Sequence, residues 1–287
     1  MSHPSPQSQQ NTESPQEYVL GTGRDELDRL AFQHRLWADA SVAAWRRAGL
    51  CMGQSVLDVG CGPGFASFDL AQLVGSTGRV IGVDESSGFI AHVNAQAASR
   101  GLSQLSAVVG DAQNLPAALS GVVEPGSIDL AYARWVLCFV TNPAAVVDQV
   151  ARLLKPGGRF VVHDYFNYRA MTLAPRRRSY EKVVAATIQS WEARGGDADI
   201  CGRLPRLLKQ AGLRLEHLDV HQRIARGHDT MFQWAHTWWR NYAPKLVAMG
   251  LLDAADCQEL LRDLDEVRAS DTDFIVLPPV FELIAVR

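Results

Sequence analysis

Three acids and a glycine turn mark where this chain could do chemistry. The run VLDVGCGPG (residues 56–64) sets Asp58 two residues before Gly60, with Gly62 and Gly64 at alternate positions. Asp84 closes the apolar run RVIGVD, and Asp111 follows LSAVV in the stretch VVGDAQNLP. A glycine turn after a first strand, with an acid about 20 residues further on, suits a nucleotide-like ligand: the glycines let it approach the backbone, and the acid accepts both ribose hydroxyls. The spacing G-x-G-x-G is one residue short of the dinucleotide fingerprint, and Pro63 removes one N–H from any phosphate cradle. Asp58 would repel a pyrophosphate and attract an ammonium group. Asp111 is placed to accept the exocyclic amine of an adenine. An ammonium, a ribose and an adenine without a phosphate describe S-adenosylmethionine, so the loop is expected to hold an amino-acid moiety.

Other residues are candidates for acceptor chemistry. His163 and Asp164 follow an apolar strand, at the sheet edge where a substrate would lie, and either could take a proton from a hydroxyl or amine. The alternative is a satisfied buried pair. Phe232, Trp234, Trp238, Trp239 and Tyr242 crowd into eleven residues; they suit the wall of an apolar pocket, with Trp238, Trp239 and Tyr242 the expected acceptor contacts. Ordinary packing is the competing explanation. Cys61 reads as a small buried side chain, and KPGG (155–158) as a helix stop.

Positioning these groups needs a particular scaffold. From residue 55 short β-type runs alternate with helical stretches: SVLDV, RVIGVD, LSAVVGD, SIDLAYARWV and RFVVHDYF are strands, nearly continuous in Val, Ile and Leu, as expected when helices cover both faces of a parallel sheet. The fold class is α/β, a doubly wound, mostly parallel seven-stranded sheet of Rossmann-like type, whose ligands lie outside the carboxyl ends of the strands. Residues 1–17 read as a disordered tail, 18–50 as an N-terminal helical segment and 51–166 as the core. Residues 167–287 complete the same domain: helices, a last strand pair (213–225 and 273–287) that closes the sheet, and a helical lid over 228–270 inserted between the two.

The run VLDVGCGPG, then GVD, then GDAQNLP, then LLKPGGRFVV resembles the class I S-adenosylmethionine-dependent methyltransferases, closest to the branch with the ubiquinone/menaquinone C-methyltransferases and many small-molecule O- and N-methyltransferases. The resemblance covers roughly residues 18–165. It implies that Gly60 and Gly62 line the methionine part, that Asp84 binds the ribose, that Asp111 with Ala112 binds the adenine, and that Ala133, Arg134 and Trp135 close over the cofactor. The pattern around Tyr18, Glu26, Arg29 and Gln33 is similar to a segment that folds over the cofactor in this branch, which adds Tyr18 and Gln33 as contacts. Glu85 departs from the pattern by replacing an apolar residue that packs on the adenine.

Composition fits this reading. Apolar residues make up 47% and charged residues 21%, with a net charge of −3, which gives no global attraction to nucleic acid or anionic membrane. No apolar stretch is long enough for a membrane span. Five isolated cysteines without C-x-x-C spacing point to a reducing cytosol. The expected activity is methyl transfer to a small hydrophobic or aromatic acceptor, without a metal; a non-catalytic S-adenosylmethionine-binding module and an NAD(P)-dependent oxidoreductase are the alternatives.

Overall fold

The computed structural model describes residues 24–287; the tail and Tyr18 lie outside them. Helix α1 (Arg24–Arg47) carries acids in its first turn and arginines in its last, both matched to the helix dipole. Strand β1 (Ser55–Val59) leads through the glycine loop into α2 (Phe65–Val74), and β2 (Arg79–Asp84) into α3 (Ser87–Ser99). Ser86 caps α3 by accepting from the Phe89 amide at 3.2 Å. Then come β3 (Leu105–Val109), the single turn α4 (Leu115–Ala118), β4 (Ile128–Arg134), α5 (Pro143–Leu153) and β5 (Leu154–Tyr165). Proline at the first position of α5 and the Asn142 side chain, which accepts from the Ala145 amide, fix where that helix starts.

The second half contains β6 (Thr172–Ala174), α6 (Arg178–Glu192), α7 (Leu204–Gln210), β7 (Arg214–His221) and β8 (Ile224–Arg226). It ends with α8 (Thr230–Ala248), α9 (Ala254–Ala269), β9 (Phe274–Val276) and β10 (Val280–Val286).

The seven-stranded sheet runs β3-β2-β1-β4-β5-β10-β7, parallel from β3 to β5 and antiparallel at β10 and β7. Strand order reverses between β1 and β4, so the loops after these strands diverge and leave a crevice there. One apolar layer, with Trp45, Phe68, Leu70 and Val93, packs α2, α3 and the end of α1 on one face. A larger layer on the other face joins α5 to α6–α9, through residues such as Val147, Tyr180, Phe232 and Leu264.

Three expectations change. The stretch 273–287 is not one strand: Pro278 and Pro279 interrupt it, since proline cannot donate to a ladder, and β9 turns away into a separate antiparallel sheet, β6-β9-β8. The stretch 213–225 divides likewise into β7 and β8, so the insertion between β7 and β10 is two helices with the short strands β8 and β9, which pair in one small sheet with β6 from outside the insertion. The main sheet also stays open, ending at β3 and β7. Among the described residues no helix is long and apolar enough to cross a membrane.

Candidate active site

The glycine loop owes its shape to left-handed backbone. Gly60 and Gly62 have φ of 66° and 54°, a region that costs other residues roughly 1–2 kcal/mol. The two differ in what surrounds them. A Cβ on Gly60 would strike Val136 at 2.4 Å, whereas one on Gly62 would meet nothing within 4 Å. Gly62 therefore borders open space, and that space is the cavity at the switch point.

The cavity has a volume of about 400 Å³, within the range of small-molecule sites. One end is acidic. Asp58, Asp84, Glu85 and Asp111 all line it, with Ala112 beside them. Both Asp84 oxygens are fixed by backbone: the Gly62 amide donates to Oδ2 and the Ser86 amide to Oδ1, each at 2.9 Å. Burial raises the Asp84 pKa, opposed by these two hydrogen bonds. Asp58 is fully buried; burial pushes it up to about 6, against the Ser67 hydroxyl, which donates to it at 2.5 Å, and the nearby Arg134. Glu85 is raised by burial and by the neighbouring Asp84 and Asp111. Asp111 is exposed and accepts from the Gln113 amide at 2.8 Å.

Four carboxylates around one crevice repel a pyrophosphate and attract a cation. They fit a ligand that carries ammonium or sulfonium charge on an adenosine frame. Arg134 sets an opposite charge on this wall. It donates to Ser41 Oγ at 3.0 Å and lies 3.1 Å from His34 Nδ1, whose other nitrogen meets Asp69 at 2.9 Å.

The other end is aromatic. Trp135 and Tyr165 come from the ends of β4 and β5, Trp191 from α6, and Trp234, Trp238 and Tyr242 from α8. Trp135 stacks between Tyr165 and Trp234, and Trp238 stacks on Tyr242 at 4.7 Å between ring centroids. Gln33 joins α1 to this wall by accepting from Trp234 Nε1 at 2.9 Å.

The structure thus brings Asp58, Gly60, Gly62, Asp84, Asp111, Ala112, Arg134, Gln33, Trp238 and Tyr242 to one cavity. It separates three others from it. Trp239 is fully buried and donates to the Tyr180 hydroxyl at 2.9 Å, on the side of α8 that packs against α6. Asp164 accepts from the amides of Cys138 and Tyr165 at 3.1 and 2.9 Å; it anchors a turn and does not face the cavity. His163 is also buried outside the lining, between Tyr132 and Glu282. The strand end carries its cavity residue one position later, at Tyr165. Trp135 and Trp234, expected to cover the cofactor and to wall the pocket, do line the cavity; the sequence reading missed Tyr165 and Trp191, although the aromatics of HDYFNY at the end of β5 were an available signal for the first.

A family model described as a methyltransferase domain matches residues 52–212. The chain belongs to that family. A demethylmenaquinone methyltransferase of Lactococcus lactis is 33% identical over 129 residues, 45% of this chain and 48% of the relative. A 2-phytyl-1,4-naphtoquinone methyltransferase of Synechococcus elongatus is 34% identical over 162 residues, 54% of this chain and 62% of the relative. The chain spans about half the length of such curated relatives. The solved geranyl diphosphate C-methyltransferase of Streptomyces coelicolor shares the fold, with a TM-score of 0.54 at 17% identity over 93% of this chain and 86% of that one.

Proposed function

We propose that the chain transfers a methyl group from S-adenosylmethionine to a small aromatic or otherwise apolar acceptor. The observation that carries this reading is one continuous cavity with an acidic end built on the glycine loop and an aromatic end built on α8 and the strand termini. When bound, S-adenosylmethionine would supply an electrophilic methyl carbon, to which the acceptor atom bonds in line while the carbon–sulfur bond breaks and S-adenosylhomocysteine leaves as a neutral thioether.

The residues divide the work. Asp58 attracts the ammonium and Arg134 the carboxylate of the amino-acid moiety, at the edge where Gly62 leaves room. Asp84, preset by two backbone amides, accepts the ribose hydroxyls, and Asp111 with Ala112 receives the adenine. Trp135, Trp234 and Trp238 hold a flat acceptor against the methyl group and exclude water, which preserves the driving force as sulfonium charge is neutralised. Segment 228–270 and α1 are read as the cover of the site, and the Gln33–Trp234 hydrogen bond supports that reading. The matched quinone methyltransferases support a planar acceptor. Free cysteines, four of the five buried, support a reducing cytosol.

Incubation of the protein with S-adenosylmethionine and a panel of quinols and phenols, read by mass spectrometry for a gain of one methyl, tests the proposal. Tight binding of S-adenosylmethionine with no product from any acceptor would leave a binding module and sink the enzyme reading.

A further inference from the structure

Glu282 lies fully buried on β10, yet four nitrogen-bearing side chains converge on its carboxylate. Oε2 is 3.3 Å from His163 Nε2 and 3.1 Å from His221 Nε2. Oε1 is 3.4 Å from His217 Nε2 and is gripped by Arg47 of α1. None of these residues lines the cavity, so the proposed methyl transfer does not use them. Sheet register builds the cluster. Glu282 pairs with His163 across β5, while His217 and His221 flank its β7 partner, Asp219, two residues to either side. With side chains alternating along a strand, all of these share one face. Asp219 itself is exposed, and its side chain accepts from the Val220 amide.

The ligand atoms of His163, His221 and Glu282 all lie within 4.8 Å of one another. A tetrahedral ion with bonds of about 2.0–2.1 Å separates its ligand atoms by about 3.3 Å; the N···O spacings here are 3.3 and 3.1 Å. Outer partners fit as well. His163 Nδ1 lies 3.2 Å from the Tyr132 hydroxyl, so Nδ1 can carry the proton and leave the Nε2 lone pair facing the cluster, as metal-bound histidines do. Arg47, gripping Oε1, fixes the carboxylate so that Oε2 is presented. His217 Nε2 is buried without a hydrogen-bond partner and stands next to the triad. The His221 side chain is 24% exposed and gives a path from solvent.

From this geometry we infer that His163, His221 and Glu282 bind a zinc-type divalent transition ion, with His217 available as a fourth donor. Two imidazoles and a carboxylate are a donor set for such ions, and not for magnesium or calcium. The ion ties the edge strand β7 to β10 and β5.

The test uses the whole chain, freed of any affinity tag and stripped with chelator. After dialysis against Zn²⁺ at neutral pH, one equivalent should be retained per chain, and the melting temperature should rise. Co²⁺ should give the intense visible bands of tetrahedral ligation. His221→Asn, a change at a partly exposed position, should weaken Zn²⁺ at least tenfold and abolish the melting shift; His228→Asn, away from the cluster, should bind like the parent. A parent that retains no ion, a weak octahedral Co²⁺ spectrum, or equal Zn²⁺ affinity in His221→Asn would each show that the cluster is only a hydrogen-bonded ion pair. The Co²⁺ spectrum needs no variant, so the test holds even if His221→Asn folds poorly. None of these readouts depends on methyl transfer.

Discussion

The Gly62 amide donates to Asp84 Oδ2 at 2.9 Å, which couples the tip of the glycine loop to the acid at the end of the next strand. Loop and acid therefore hold a single geometry before any ligand arrives, and little ordering is left for binding to supply. Asp84→Ala should remove the ribose contacts and release the loop together. Hydrogen bonds to a charged group are worth about 1.5–3 kcal/mol each, so S-adenosylmethionine should bind at least tenfold more weakly by calorimetry. Unchanged affinity would remove Asp84 from the ribose site.

Gly60 and Gly62 should fail in different ways. Gly62→Val places a branched side chain where no protein atom lies within 4 Å; binding of S-adenosylmethionine should be lost while the circular dichroism of the sheet persists. Gly60→Ala drives a Cβ into Val136, and overpacking of that kind costs about 1–3 kcal/mol. Its melting temperature should fall more than that of Gly62→Ala. Equal behaviour of the two positions would contradict the cavity geometry.

Much of this was legible in the sequence, and the parts that were not have identifiable causes. Strands β1 to β5 could be read because burial gives each a run of apolar residues, and the acids because they lie at or just beyond the carboxyl ends of β1, β2 and β3. The strands of the small sheet, three residues each, are too short to show a period of two. Trp238 and Trp239 are adjacent, so a helix points them about 100° apart; which one faces the cavity depends on where α6 packs, a relation between distant segments. His163 and Asp164 looked reactive by type and place, but their partners, Glu282 and the Cys138 amide, lie far away in sequence. The cluster around Glu282 draws on residues 47, 163, 217, 221 and 282, and no local pattern announces it.

Asp58 should make cofactor binding pH-dependent. Burial raises its pKa to about 6 in the free protein, and only the ionised form attracts an ammonium. Affinity should be flat above about pH 7 and fall by up to tenfold per unit below about pH 6, because binding must then release the proton that Asp58 has taken up. Stability moves the other way. Because the native state keeps a proton that the unfolded chain has lost, this group lowers stability as pH rises from about 4 to about 6, by roughly 1.4 kcal/mol per unit. Asp58→Asn should flatten the binding profile and remove this group's share of the stability slope, while Asp164, which burial also raises to about 6, keeps its own. Calorimetric titration and thermal melts across pH 4–8 measure them, and an unaltered binding profile in the variant would assign the dependence to another group.

Asp164→Ala separates anchoring from catalysis. Its carboxylate accepts from the amides of Cys138 and Tyr165, and each buried amide left unpaired costs about 1–3 kcal/mol. Denaturant unfolding should show a loss of that order or more, with kcat per folded molecule little changed. A stable variant with a collapsed kcat would restore Asp164 to the chemistry.

The two neighbouring tryptophans of α8 give the sharpest test of the aromatic chamber. Trp239 is fully buried against Tyr180 and donates to its hydroxyl; truncating it leaves a large void and an orphaned hydroxyl partner. Trp239→Ala should lose about 3–5 kcal/mol of stability. Trp238 lines the cavity, stacked on Tyr242 with the Arg29 guanidinium 5.6 Å from its ring centroid. Trp238→Ala removes a wall that the acceptor would touch, so acceptor KM should rise at least tenfold with a smaller loss of stability. Affinity for S-adenosylmethionine should hardly move in Trp238→Ala, because the glycine loop, Asp84 and Asp111 lie at the other end of the cavity. Should Trp238→Ala instead unfold the protein as readily as Trp239→Ala and leave KM unchanged, the aromatic end would be packing alone, and the acceptor would have to lie elsewhere.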